Sequence, residues 1–206
     1  DIVKAIQFYD EVLVHDPENF RALSHKALAY SWNGEYGKSI EIFDKLLVSD
    51  PNNGELLLNR ANALRWKGDL ERAEKAYREA VVKHPKDLNI LEGLAETLNL
   101  RGKHQEAVEI YDQGLELDEK RSSFWSGRAW AWYWLGIKTK VAEDIGQALK
   151  LDPKNQSAIE LQKQIPMPDI TQYENPLAAA DDFLWKNDYL FALRLYDAIL
   201  QKDPKN

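Results

Sequence analysis

The 206-residue chain contains no cysteine, which removes disulfides, thiolate chemistry and zinc–thiolate sites together. That absence fits a cytoplasmic protein and equally a bacterial periplasmic one. No run approaches the ~18 consecutive apolar residues of a membrane helix. Even the densest aromatic stretch, "RAWAWYWLG" at residues 128–136, is bracketed by Gly127, Arg128 and Lys138. Positive charge is also short: 27 Lys and Arg stand against 34 Asp and Glu, for a net charge of −7. Without a basic cluster to neutralise phosphates, DNA and RNA are not expected partners. The opening residues lack a signal-peptide pattern. There is no glycine-rich phosphate loop and no HExxH pair.

The candidate chemistry is correspondingly thin. His15, His25, His84 and His104 fall on different predicted helices and read as solvated side chains. Glu92 and Glu96 sit one helical turn apart, but no nucleophile or metal ligand accompanies them. General acid–base work by this pair is outweighed by the reading of an acidic surface. Asn155-Gln156-Ser157 matches a glycosylation sequon, yet its place after Asp152-Pro153 points to a turn and helix start. No catalytic residue, metal site or cofactor is expected.

What is present is a period. Pro17, Pro51 and Pro85 are 34 residues apart; two further steps reach Glu119, which lacks the proline, and Pro153. Small residues recur at Ala27, Ala61, Ala95 and Ala129, and at Ala5, Ser39, Ala73 and Ala107, ending in Val141. Glycines recur at 34, 68, 102 and 136. Tyr9, Phe43, Tyr77 and Tyr111 form a large column that ends in Ile145. Within a unit the apolar residues follow helical spacing, as in Leu23, Ala27 and Tyr30, then Ile40, Phe43 and Leu47. The glycine falls between the two runs, where a tight turn needs it. The proline follows the second run and stops it. Each unit is therefore an antiparallel helix pair, and pairs must stack to bury their faces.

These columns resemble the tetratricopeptide repeat (TPR) family over nearly the whole chain. The resemblance implies an all-α fold, a right-handed superhelix of helix pairs whose concave groove is lined by the first helix of each pair. The phase predicts a TPR array over 1–165. It comprises a lone second helix at 1–15, pairs at 20–51, 54–85, 88–119 and 122–153, and a short covering helix at 156–165. A proline-rich linker follows at 166–175, with Pro166 and Pro168, then a further pair at 176–206, with Asn187 in place of glycine and a closing Asp203-Pro204 turn. That last pair either stacks on the short helix or begins a separate array. Packing is expected to be least regular around 119–150, where Glu119, Val141 and Ile145 depart from their columns. The phase also reads as a piece cut from a longer repeat protein. Helix 1–15 should then expose Ile2, Ile6 and Tyr9, with end-to-end self-association of the fragment as the consequence.

In this frame "RAWAWYWLG" belongs to the first helix of the fourth pair. Trp125, Ala129 and Trp132 match the core stripe, whereas the resemblance points Trp130, Tyr133 and Trp134 toward the groove. Trp32, Trp66 and Trp134 share one column, with Leu100 between them and Trp185 in the matching place of the last pair. Recurrence favours these indoles as wedges against the neighbouring first helix; the functional reading is an aromatic ladder. The family's lysine-and-asparagine clamp for a chaperone's terminal carboxylate is rejected. Its places here carry Ser24, Leu28, Asn59, Asn62, Glu92, Glu96, Ser126 and Trp130, with no lysine.

The expected function is a non-enzymatic protein-interaction scaffold. Its groove would use Arg21, Leu28, Trp32, Glu55, Asn62, Trp66, Glu92, Glu96, Trp130, Tyr133 and Trp134 to hold a protein or peptide. Carboxylates outnumber cations there, so the partner should be basic or neutral with apolar anchors, bound across the third and fourth pairs. The alternative rests on "SWNGEY" and "LRWKGDL", which resemble TPR arrays of bacterial envelope or polysaccharide-export proteins. In that setting the indoles would stack on a cationic glycan.

Overall fold

Turn chemistry repeated every 34 residues sets where the helices begin and end. The computed structural model describes residues 1–165, 170–185 and 189–202. Pro166, Pro168, Asn187 and the Asp203-Pro204 turn lie outside them. The described residues form α-helices, one short 3₁₀ turn at Ile170–Gln172, and no strand. Clustering of the backbone divides the chain into two units, Asp1–Gly102 and Lys103–Asn206. The first holds α1 (Ile2–His15), α2 (Phe20–Trp32), α3 (Tyr36–Ser49), α4 (Gly54–Trp66), α5 (Leu70–Lys83) and α6 (Leu88–Leu100). The second holds α7 (His104–Leu117), α8 (Ser122–Trp134), α9 (Lys138–Leu151), α10 (Gln156–Gln164), α11 (Pro176–Trp185) and α12 (Tyr189–Lys202).

First helices start on a side-chain cap, except α8, whose N-cap residue Arg121 makes no such bond. Asn19, Asn53, Asp87 and Asn155 each accept from the backbone N–H three residues on, at 2.9 to 3.3 Å. Asn155 also donates from Nδ2 to Ser122 Oγ at 3.2 Å, so the amide of the sequon is used within the fold. The glycine of each intra-pair turn adopts φ between +75° and +85°, which an L side chain resists. A Cβ there would meet no atom within 4 Å, so the constraint is backbone conformation and not space.

Elsewhere glycine marks close approach. A Cβ on Gly93 would fall against the Tyr77 ring, and one on Gly114 inside the Phe124 ring. Size is exchanged across the period here. Leu46 and Leu56 share a core cluster, and the same two columns carry Ala80 with Ile90, then Gly114 with Phe124. In the last step Ala gives way to Gly as Ile gives way to Phe, which lets the Phe124 ring lie directly on Gly114.

The expected irregularity around 119–150 does not reach the helices. α8 and α9 keep the 13 and 14 residues of the earlier pairs. Without its proline the turn is still closed: Asp118 Oδ1 accepts from Lys120 N at 3.0 Å, as Asp152 does from Lys154 at 2.9 Å. Glu119 offers its carbonyl to Trp125 Nε1 at 2.8 Å. The departure lies in the side chains. Asp144, in a column otherwise holding Ile42, Ala76 and Ile110, is 1% exposed and receives Arg128 Nε and Nη2, both at 2.7 Å.

Three sequence expectations need correction. The core anchor of α8 is the fully buried Phe124; Trp125 is half-buried, its ring under the Arg128 guanidinium at 4.7 Å. Trp132 is half-buried against the cluster of Ala129, Val141, Ile145 and Leu161. Ile6 is not on the open side of α1 but packed inward at 9% exposure, and Tyr9 is half-buried beside His25. In each case helix rotation relative to the neighbour decides, which column position alone leaves undetermined.

At the end of the second unit, α11 and α12 close on each other around Ala180, Leu195 and Ile199. The second of them, α12, lies against α9. It is tied to α10 by Gln162 Nε2 donating to Asp197 at 2.8 Å and Arg194 Nε donating to the Ile165 carbonyl at 3.0 Å. No helix among the described residues is long and apolar enough to cross a membrane.

Candidate functional site

Within each unit successive first helices approach each other, and what lies between them depends on side-chain size. In the first unit, Leu58, Asn62 and Arg65 of α4 face Asn89, Glu92, Gly93 and Glu96 of α6 across a pocket of about 410 Å³. Three expected site residues, Asn62, Glu92 and Glu96, thus come together. Arg65 Nη1 pairs with Glu96 Oε2 at 2.7 Å, while Arg65 Nε is buried without a partner. Asn62 Oδ1 accepts from Tyr77 Oη at 2.6 Å, which leaves the amide N–H₂ of Asn62 to donate. Burial pushes the Tyr77 phenol up to about 12, with Arg65 opposing, so it stays a donor. Burial likewise raises Glu96 above the ordinary carboxylate range; Arg65 opposes this and the Glu92 charge adds to it. A cation entering beside these two carboxylates would relieve both.

Leu28 and Trp32 lie elsewhere. With Ile2, Ala5 and Tyr9 of α1 and His25 of α2 they line a second space of about 270 Å³. Arg21 and Glu55 are exposed on the first turns of α2 and α4 and line neither pocket. The tryptophan column sits at the end of each first helix, beside the glycine turn. Its ring partner is the first residue of the preceding second helix: Tyr36 for Trp66 at 6.5 Å, and His104 for Trp134 at 6.0 Å. These indoles remain exposed, Trp134 by 61%. The sequence signal for these partners is a spacing of 30 within the period of 34, from Tyr36 to Trp66 and from His104 to Trp134.

In the second unit the register equivalents of Asn62 and Arg65 are Trp130 and Tyr133. Trp130 Nε1 donates to Ser157 of α10, at 3.2 Å to Oγ and 3.3 Å to the carbonyl. Ser157 is the register equivalent of Asn89. The indole therefore spans the gap that the first unit leaves open. Trp130, Tyr133 and Trp134 meet edge to face at 5.8 and 5.4 Å. Glu92 and Glu96 belong to the first unit and these three rings to the second. Among the described residues no group of three His, Cys, Asp or Glu is placed to hold a metal.

Residues 58–123 match the tetratricopeptide repeat model. That stretch carries tetratricopeptide repeats. No curated protein matches its sequence to a significant degree. Solved structures share the fold. YrrB, described as a TPR protein with an unusual peptide-binding site, is 20% identical, with a TM-score of 0.66 over 79% of this chain and 84% of that one. MamA from Desulfovibrio magneticus is 13% identical, with 0.66 over 88% and 93%. A repeat protein from Parabacteroides merdae is 19% identical, with 0.65 over 92% and 68%. Proteins of the TPR fold are interaction scaffolds and generally non-enzymatic.

Proposed function

We propose that the chain is a non-enzymatic scaffold that binds a peptide or protein on the face of its first helices. The observation that carries this is the pocket between α4 and α6. It holds two carboxylates against one guanidinium, and that guanidinium is already paired with Glu96. Its ligand should bring a cationic side chain to Glu92 and Glu96, a backbone carbonyl to the Asn62 amide, and an apolar group to Leu58. The description of YrrB as peptide-binding is in keeping with this reading.

Panning the chain against a random peptide display library tests it. Enriched sequences should combine Lys or Arg with an apolar residue, bind more weakly as salt rises, and lose affinity in the double variant Glu92→Gln, Glu96→Gln. Enrichment of acidic peptides, or of none, overturns the reading.

A further inference from the structure

We propose that the rings of α8 form a docking site for an uncharged, proline-rich segment in the polyproline II conformation. The proposal rests on the reading of the chain as a peptide-binding scaffold but uses a different site and different chemistry. Trp130 and Tyr133 stand at 81° to each other, and Tyr133 and Trp134 at 74°. Each pair makes a right-angled corner with two apolar walls. A sugar ring needs an open flat face. The one near-parallel neighbour in the track is His104, which lies over Trp134 at 17° and covers one of its faces. A pyrrolidine ring is small, puckered and apolar, and fits a corner between two walls. The ring centroids are 5.8 Å apart in the first pair and 5.4 Å in the second, and the two pairs share Tyr133. That places both within one polyproline II turn of about 9 Å.

The rings are held in place before any ligand arrives. Trp130 and Tyr133 pack against the buried cluster of α8, α9 and α10, and Trp130 is pinned to Ser157. A preformed helix without internal hydrogen bonds meeting preformed walls loses little entropy on docking. Its free carbonyls suit donors such as the Tyr133 phenol O–H and the Trp134 indole N–H; the Trp130 N–H is already given to Ser157. Lys103 and Glu106, on either side of His104 in the chain, pair with each other at 3.7 Å, so their charges offset and an uncharged ligand suits that end of the track.

The test titrates the chain with an oligoproline of about ten residues, with a Gly-Ser peptide of the same length, and with a neutral β-linked hexasaccharide. Affinity is read by calorimetry and tryptophan fluorescence. The oligoproline should bind better than the other two, independently of salt. Trp134→Ala, at a side chain exposed enough to leave the fold intact, should weaken it about tenfold or more, and Trp134→Leu should do so as well. The Glu92→Gln, Glu96→Gln variant should bind the oligoproline unchanged. Preference for the hexasaccharide, no preference over the Gly-Ser peptide, or unchanged affinity in both Trp134 variants overturns the proposal. So does loss of oligoproline binding in the double glutamate variant. Basic peptides that fail to bind while the oligoproline does would overturn only the reading of the α4–α6 pocket.

Discussion

The α4–α6 junction of the first unit and the α8–α10 junction of the second are built from the same columns and present opposite surfaces. Asn62 and Asn89 leave about 410 Å³ between their helices; Trp130 crosses the equivalent gap to Ser157. One junction is a charged pocket, the other an apolar ridge. A repeat scaffold can therefore keep its backbone and change its ligand through one column, because the helix spacing is set by small residues elsewhere, such as Ala61, Ala95 and Ala129.

The same contrast holds for ion pairs, and it yields the largest expected effect. Arg128 holds the buried Asp144 in a two-pronged pair, while Arg60 meets the half-exposed Asp44. Arg128→Ala strands a buried carboxylate and should cost about 3–5 kcal/mol in urea unfolding. Arg60→Ala should cost no more than about 1 kcal/mol. Equal losses would show that both pairs are alike and that burial is not what separates them.

Next in size, Trp130→Ala should lower stability by about 2 kcal/mol, because a half-buried indole and its bond to Ser157 are lost. It should also open a pocket like that of the first unit. The converse change, Asn62→Trp, should close the first pocket and abolish binding of the basic peptides selected by panning. Peptide binding that survives Asn62→Trp would break the comparison. Trp134→Ala, at the exposed end, should move the melting midpoint by an amount equivalent to less than about 0.5 kcal/mol.

The smallest effect is one of pH. Glu96 is raised by burial, so the folded state binds its proton more tightly than the unfolded chain. Its ionised form therefore costs stability above the raised pKa. That cost is relieved as pH falls through this value toward the ordinary range near about 4.3. Glu96→Gln should flatten this slope in denaturation curves between pH 7 and pH 4. At neutral pH it should be neutral or slightly stabilising despite the lost pair with Arg65. A clear destabilisation at pH 7 would show that the pair outweighs the burial.

Much of the helix architecture was legible because its signals are local. The left-handed glycines and the turn prolines act within a few residues, and the 34-residue period they mark carries the helix starts Phe20, Gly54 and Leu88 on to Ser122, where proline and side-chain cap are both lacking. The candidate site was legible only in part. Asn62, Glu92 and Glu96, all expected in the groove, share a pocket, whereas the bond that pins Trp130, expected to face the groove, to Ser157 of α10 has no signal in its own helix. Arg21 and Glu55 remained apart from either pocket.

The amino-acid sequence by itself determined the period, the helix ends and helix pairs such as α2 with α3, α4 with α5 and α8 with α9, since these depend on backbone conformation and the spacing of apolar residues. Tertiary structure decided the rest. Phe124 and not Trp125 is core, Asp144 is buried because Arg128 reaches it, and α12 covers α9. The Asn62 column faces an open pocket in one unit and a filled gap in the other. Each outcome depends on the volume and charge of a side chain brought in from a different helix, and no local stretch of sequence contains both partners.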